Sequence, residues 1–358
     1  MRFLFKTRYE QDLQLFRDRT EAGWYGLLLL ALLLAPAVVP EYWQAQLVFI
    51  FIWGIVSFGL MLLAGFTGQM SMGHAAFLAI GAYTEAILQS SGIPFLLSAP
   101  AAIVLAALAG VLIGLPALRL TGIYLAIATL AFGFIVEEVL ARWESLTAGN
   151  TGMTVPPVNL AGAQLSSAAG FYYLCLVCIL MVGLAVRNLL RSPTGRAFIA
   201  IRDSEISAQS MGVNLARYKT LSFALSAGIT GLAGALYAHQ IRFISPEQFN
   251  LFLSIEFLMM VVIGGLGSLH GAVFGAVFMI VLPELIALSK DFLPQAVAEQ
   301  TGLKATVFGV VMVLFVMFEP MGLYGRWVKI RTWFSLFPLY KAGMFRRQKA
   351  YQKSERVH

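Results

Sequence analysis

The chain has 358 residues, of which 59% are apolar and 12% charged, with 25 Lys and Arg against 18 Asp and Glu. An average soluble domain carries about 25% charged residues, and disordered segments are poor in apolar residues, so this composition excludes both classes. The two cysteines exclude a disulfide scaffold. The composition therefore predicts a polytopic membrane protein.

Ten segments are candidates for membrane-spanning helices, which need about 20 mostly apolar residues each. In chain order they are 22–39, 46–64, 70–89, 94–117, 121–141, 169–189, 219–241, 251–269, 271–289 and 303–320. The segments 70–89 and 271–289 open in Gly-rich stretches, which predicts broken helices. No long stretch shows the alternation typical of strands. We expect an all-α transmembrane domain over 22–320, a tail at 1–21 and a basic tail at 321–358.

The basic residues are concentrated in three segments, 1–21, 187–219 and 326–356, which together hold twenty of the 25. The positive-inside rule places all three in the cytoplasm. Six candidate spans separate the first segment from the second and four separate the second from the third, as a shared side requires. Ala35-Pro36-Ala37 resembles a signal-peptidase site, but the acidic residues before it favour an uncleaved first helix.

The basic C-terminal segment alternates aromatic and cationic residues. This pattern favours a helix lying in the membrane interface against anionic headgroups, rather than a nucleic-acid site. The residues concerned are Arg326, Trp327, Lys329, Arg331, Trp333, Phe334 and Phe337.

Several kinds of catalytic chemistry are missing from the sequence. No Gly-Lys dipeptide occurs, so the chain has no P-loop. Its four histidines lack metal-ligand spacing, and Cys175 and Cys178 form a C-x-x-C inside an apolar run, which favours packing over redox chemistry. We expect no enzyme active site, and no cofactor or metal bound by this chain.

The segment from Gly65 to Tyr83 combines helix-breaking glycines with polar side chains at membrane depth. Transporters place binding and gating elements in such discontinuous helices, although packing of small residues is the alternative. The candidate translocation-path residues here are Gly68, Gln69, Ser71, His74 and Tyr83.

A second segment, 262–276, resembles the first when His270 is laid on His74, because Gly264 then falls on Gly68 and Ala272 on Ala76. The offset predicts a weak parallel repeat of the kind found in transporters, and chance similarity is the alternative. The path candidates here are Gly264, Gly265, Ser268 and His270.

A third segment, 191–213, lies on the predicted cytoplasmic side. The pattern predicts one short helix from Gly195 to Met211, capped by Thr194 and ended by Gly212. Its small apolar face would consist of Ala197, Ala200, Ile201, Ala208 and Met211. Such a helix is suited to docking in a groove of another protein, with a solvated connector as the alternative.

These segments resemble a known family. The cytoplasmic segment resembles the ATPase-docking motif of ABC importer permeases at Gly195, Arg196, Ala197, Ala200, Ile201, Arg202, Asp203, Glu205, Ala208 and Gly212. Together with the motifs at 68–83, 118–133 and 263–271, it resembles the branched-chain amino acid permease family, and most of all its LivM-type subunit. The resemblance covers about residues 25–320.

The resemblance implies a subunit of an ATP-driven importer for branched-chain amino acids in a bacterial cytoplasmic membrane, with both termini in the cytoplasm. Its partners would be a LivH-type permease, two ATPase subunits that bind ATP and Mg²⁺, an external solute-binding protein and the lipid bilayer. The loop at about 190–218 would be the coupling element, and no nucleic acid would be bound. Related permeases carry urea and short amides, so the substrate stays open within the family.

An ion-coupled carrier is the competing class, because such carriers need ionisable groups deep in the membrane. The candidates are Glu85, Glu137, Glu138, Glu256, Glu284 and Glu319. Most of them lie near the ends of predicted spans, which favours interfacial positions. Glu256 is expected to lie deeper and to be bonded to neighbouring helices.

Overall fold

The computed structural model describes residues 19–117, 120, 122–160, 163–164, 167–289, 303–318 and 321–336. Most of the predicted tails, 1–18 and 337–358, lie outside the described residues. Helix α1 begins at Arg19, so its first residues belong to the predicted N-terminal tail.

The described chain is mainly helical, as predicted. The helices are α1 Arg19–Val38, α2 Glu41–Leu60, α3 His74–Ser90, α4 Phe95–Ala117, α5 Ile123–Arg142, α6 Glu144–Thr147, α7 Ala168–Arg191, α8 Pro193–Asp203, α9 Glu205–Ser210, α10 Leu215–Ile241, α11 Leu251–Gly264, α12 Leu269–Ser289, α13 Leu303–Phe318 and α14 Gly322–Leu336. A π-helical turn, Met61–Phe66, extends α2. Two 3-10 turns, Gly149–Thr151 and Pro246–Phe249, lie in loops.

Every candidate span coincides with one of these helices. Within the described residues, seven helical stretches are long and apolar enough to cross a membrane. They are Glu41–Phe66, Phe95–Pro116, Ile123–Arg142, Ala168–Arg191, Leu215–Ile241, Pro246–Gly264 and Leu269–Ala287, while Ala22–Val38 is apolar but shorter. The multi-pass architecture is thus confirmed, and the count of ten spans stays a prediction.

One of the two predicted helix breaks lies where we expected it. After the π-helical turn the chain is irregular over 67–73, and α3 begins only at His74. The second prediction was wrong in detail, because α12 is continuous and the break precedes it at 265–268. The physical reason is Ser268, whose Oγ accepts a hydrogen bond from the Gly271 N–H (2.9 Å) and so caps the first turn of α12.

The helix α10 lies at the centre of the bundle, and 78% of its most apolar stretch is buried. It packs mainly against α2, α3 and α4. A Cβ added to Gly81 of α3 would lie 2.1 Å from the Gly231 carbonyl oxygen of α10. Small residues therefore bring the backbones of these helices into direct contact, as in many membrane bundles.

Short strands join the loops at the end of α10 opposite α8 and α9. β1 (Met153–Thr154) pairs antiparallel with β4 (Phe243–Ile244), Met153 facing Ile244. β2 (Asn159–Leu160) and β3 (Ala163–Gln164) form a small hairpin. The first pair ties the loop after α5 to the loop after α10.

Candidate coupling and translocation sites

The cytoplasmic segment forms two helices, whereas the sequence predicts one. Ser192, not Thr194, caps α8, since its Oγ accepts from the Gly195 N–H (3.4 Å) and Pro193 fills the first helical position. The helix then stops because Ser204 is extended (φ −164°), and the Ser204 Oγ caps α9 by accepting from the Ser207 N–H (3.2 Å). The prediction of Thr194 as cap and of an unbroken helix was wrong.

The end of the segment agrees with the prediction. Gly212 has a positive φ of 83°, a conformation that suits glycine. The Val213 N–H reaches back to the Ala208 carbonyl oxygen (3.0 Å), which is the bonding of a helix C-terminus followed by a left-handed glycine.

The two faces of this segment differ from the predicted ones. Ala197, Ile201 and Ala208 are buried against the bundle. Met211, which the pattern placed on the same face, is 87% exposed, and Ile206 is 81% exposed. The break at Ser204 turns α9 relative to α8, so the apolar residues of the segment do not share one stripe.

Arg202 joins all three segments that the sequence singles out. Its Nη1 donates to the Gly65 carbonyl oxygen (3.1 Å), and its Nε and Nη2 bond Oδ1 of Asp203 (3.2 and 3.1 Å). A Cβ added to Gly68 would lie 3.1 Å from the Arg202 Cγ, and one added to Gly267 would lie 3.0 Å from its Nη1. The guanidinium therefore lies where the breaks after α2 and after α11 meet the cytoplasmic segment.

Lys219, to which the sequence assigned no such role, forms a second link between the segment and the bundle. Its Nζ lies 2.7 Å from Oε1 of Glu205, and its side chain is only 3% exposed. One turn further along α10, the Ser222 Oγ accepts from Gln69 Nε2 (3.1 Å). Glu205 and Lys219 are 14 positions apart (219 − 205) and belong to no recognisable sequence motif. Only the structure therefore reveals this ion pair.

His74 is fully buried at the start of α3, and its contacts determine its tautomer. The Ser226 hydroxyl donates its one proton to the Gly59 carbonyl oxygen (2.7 Å), so it accepts from His74 Nε2 (2.8 Å). His74 Nδ1 then accepts from the Ser71 hydroxyl (2.9 Å). The histidine is neutral and fully hydrogen-bonded, and these contacts connect α3 to α10 and α2.

The start of α3 lies well inside the bundle. Ser226 is eleven residues (226 − 215) beyond the first residue of α10, which is about 16 Å along a helix axis. Because His74 bonds Ser226, the segment 67–73 runs from the level of Arg202 to about the middle of the bundle. This is the discontinuous helix that the Gly-rich pattern predicts.

The remaining path candidates have structural contacts. Tyr83 is buried with its ring 6.1 Å from that of Phe249. A Cβ on Gly264 would lie 2.1 Å from the Gly271 carbonyl oxygen, and Gly265 has a φ of 112°. His270 Nε2 lies 2.6 Å from the Tyr25 hydroxyl. His74 and His270 thus begin corresponding helices but share no hydrogen-bond partner in the described residues, and the role of these candidates in a path stays a prediction.

A buried Glu85–His239 pair was missed at the sequence level. Glu85 lies near the end of its span, and its side chain is fully buried in the bundle. His239 Nδ1 faces the Pro156 carbonyl oxygen (3.1 Å) and therefore donates to it, while Nε2 lies 3.0 Å from Oε1 of Glu85. Oε1 also accepts from the Ser98 hydroxyl (2.7 Å), so Glu85 joins α3 to both α4 and α10.

The two cysteines lie in one membrane helix. Cys175 and Cys178 of α7 are free thiols, and both are buried among the packed side chains of the bundle. In the described ranges, no three His, Cys, Asp or Glu side chains come together as a metal site would require.

The broken helix after α2 and the segment 191–213 lie in a region of the chain that matches a known protein family. A sequence-family model described as "Branched-chain amino acid transport system / permease component" matches residues 44–316. The chain belongs to this family. The matched range begins in α2 and ends in α13, so it includes both helix breaks and the segment around Arg202.

Individual members of the branched-chain permease family show the same relationship. The high-affinity branched-chain amino acid transport system permease protein LivM of Escherichia coli K12 is 36% identical over 294 residues, 75% of this chain and 67% of that protein. The probable branched-chain amino acid transport permease protein LivM of Methanocaldococcus jannaschii is 26% identical over 84% of this chain and 91% of its own. The autoinducer 2 import system permease protein LsrC of Salmonella typhimurium LT2 is 29% identical over 54% of this chain and 58% of its own. No solved structure matches the chain.

Proposed function

We propose that this permease is the LivM-type subunit of an ATP-driven importer that carries branched-chain amino acids across a bacterial cytoplasmic membrane. A second, LivH-type permease would complete the membrane domain, and two cytoplasmic subunits would bind ATP and Mg²⁺. An external solute-binding protein would deliver the substrate. Both termini would lie in the cytoplasm, and this chain would itself catalyse no reaction.

The observation that carries the proposal is the position of Arg202. Its hydrogen bond to Gly65 joins the cytoplasmic segment to the π-helical end of α2, and its guanidinium lies beside Gly267 in the break before α12. A movement of the segment would therefore be transmitted to both helix breaks at once. The Lys219–Glu205 ion pair holds the same segment to the central helix α10.

The exposed side of the segment supports docking of an ATPase. Ile206 and Met211 are large apolar side chains, each more than four-fifths exposed, on a loop that is otherwise polar. Exposed apolar residues surrounded by polar ones are typical of contacts with another protein. They would insert into a groove on the ATPase, while Ala197 and Ala208 face the permease.

The substrate follows from the family. Relatives named as branched-chain amino acid permeases cover three quarters or more of the chain, whereas the relative named for autoinducer 2 import covers 54%. Urea and short amides are the other substrates to compare, since related permeases carry them. Because the binding protein sets much of the selectivity in such systems, the transport assay needs that subunit.

The experiment is uptake of radiolabelled leucine into proteoliposomes that contain the complex purified through this chain, with binding protein outside and ATP inside. We expect ATP-dependent uptake that vanadate blocks and a protonophore leaves unchanged. Valine and isoleucine should compete, whereas urea and autoinducer 2 should not.

The same assay tests the ion-coupled alternative, which the buried Glu85–His239 pair would serve. Uptake that needs no ATP and collapses with the protonophore would contradict the proposal and favour that class. A complex that copurifies without an ATPase would contradict it as well.

A further inference from the structure

A small notch lies between α5, the 3-10 turn Pro246–Phe249 and the start of α11. Phe134 and Phe249 form apolar walls, Glu137 and Ser254 supply polar atoms, and Met72 closes one side. The notch is partly open, and its volume of about 10 Å³ is about the room that one water-sized group needs. The notch is therefore too small for a whole amino acid but large enough for a single ammonium group.

The notch borders the predicted translocation path. The Met72 N–H donates to the Thr129 Oγ1 (2.9 Å), and the Ala75 N–H donates to the Ser254 Oγ (3.0 Å). These bonds hold the break before α3 against α5 and α11. In the predicted topology Glu137, five residues before the end of α5 at Arg142, lies on the outer side of this break.

Glu137 is the chemical reason to assign a ligand to the notch. Among the described residues its carboxylate makes no hydrogen bond or ion pair, whereas its neighbour Glu138 is paired with Arg142. The cavity is lined by no basic side chain. Glu137 lies within the apolar helix Ile123–Arg142, and an ionisable residue in a membrane span is a candidate functional residue.

The other polar groups of the notch also fit a cation. Asn250 is already engaged, because its Nδ2 donates to the Glu247 carbonyl oxygen (3.0 Å) and its Oδ1 accepts from the Leu253 N–H (3.2 Å). The Ser254 hydroxyl oxygen and the carboxylate remain as acceptors, and an ammonium group has only donors.

We infer that Glu137 binds the α-ammonium group of the transported amino acid in this notch, which makes it a substrate-selective position on the path. The aliphatic side chain of the substrate would lie on the exposed apolar surface beside the notch, where Phe134 is 51% exposed, and the second permease would cover it. The inference rests on the proposed function, since it assumes an amino-acid substrate.

The first test compares two neighbouring carboxylates by leucine uptake at subsaturating substrate. Glu137→Gln should lower ATP-driven uptake at least tenfold, and Glu137→Asp should retain part of it. The matched control Glu138→Gln, which removes an exposed and paired carboxylate of the same helix, should stay within twofold of the wild type. Equal uptake by Glu137→Gln and Glu138→Gln would overturn the inference.

The second test reads the notch without transport. Met72→Cys, with Cys175 and Cys178 replaced by alanine, should react faster with the cationic 2-aminoethyl methanethiosulfonate than with the anionic 2-sulfonatoethyl reagent. Adding Glu137→Gln should remove this preference, and leucine with binding protein should slow the reaction. No cation preference and no protection by leucine would overturn the inference.

These measurements separate the inference from the proposed function. If the wild-type complex transports no branched-chain amino acid, the proposed function fails, while the cation preference at Met72→Cys still decides whether the notch accepts an ammonium group. If Glu137→Gln prevents copurification of the second permease, Glu137 is a subunit contact and the inference is wrong.

Discussion

Arg202 is the residue through which the cytoplasmic segment contacts the ends of two membrane helices. Replacing it with glutamate would place a carboxylate against the Gly65 carbonyl oxygen. Both groups are acceptors, so the hydrogen bond would be lost. We expect Arg202→Glu to lower ATP-driven leucine uptake at least tenfold while the complex still assembles and hydrolyses ATP. Uptake and ATP hydrolysis measured on the same proteoliposomes check this.

The matched control is Arg217→Glu, which reverses a charge in the same cytoplasmic region. The Arg217 side chain is exposed, and the hydrogen bond recorded for the residue uses its backbone N–H, which bonds Asn214 Oδ1 (3.1 Å). Uptake should change less than twofold. Losses of similar size in both variants would mean that charge in this region, rather than the bond to Gly65, explains the effect.

Single residues also mark the limit of prediction from sequence. The motif around Arg202 could be found because its members are close in sequence and together resemble a known docking motif. The Glu85–His239 pair could not, because the two residues are 154 positions apart and each looks like an ordinary residue near a span end. The notch at Glu137 is of the same kind, since Met72 and Ser254 line it from positions far apart in the sequence.

At the scale of elements, hydropathy predicted where helices lie better than where they end. The positions of the ten candidate spans follow from apolar runs in the sequence, and these runs form helices whatever their tertiary contacts are. The ends depend on competition among caps: Ser192, Thr194 and Ser204 can all cap a helix, and Pro193 together with the packing of α8 on the bundle decides between them. The two-helix form of the cytoplasmic segment was therefore beyond the sequence pattern.

The contact between α3 and α10 gives a prediction about element packing. A methyl group at Gly81 would lie 2.1 Å from the Gly231 carbonyl oxygen, so even alanine must push the helices apart. Overpacking of this kind costs about 1–3 kcal/mol, and we expect Gly81→Ala to lower the thermal stability of the purified permease clearly. Fluorescence-detected size-exclusion after heating measures this.

Gly183→Ala is the control for that experiment, because a Cβ on Gly183 of α7 would lie 3.5 Å from the Phe58 ring, an ordinary contact. It should leave the melting temperature nearly unchanged. If the two alanine variants melted alike, the backbone contact between α3 and α10 would not determine the stability of the bundle.

At the scale of the whole molecule, the charge distribution and the structure describe the same polarity. The segment α8–α9 lies at one end of α10, and the β1–β4 pair lies at the other. The positive-inside rule predicts that the first end lies in the cytoplasm, so we propose that the loop that contains β1 faces outward, where a solute-binding protein would dock. The net charge of +7 would then belong to the cytoplasmic face, and no nucleic-acid partner is needed to explain it.

This orientation predicts opposite labelling of two exposed positions, Asn150 and Met211. In a chain whose two buried cysteines are replaced by alanine, Asn150→Cys should react with a membrane-impermeant maleimide in right-side-out vesicles. Met211→Cys should react only in inside-out vesicles, and bound ATPase subunits should slow that reaction at least fivefold, because Met211 would lie in their groove. Labelling of both cysteines from the same side would contradict the topology, and full reactivity of Met211→Cys in the assembled complex would contradict docking at α9.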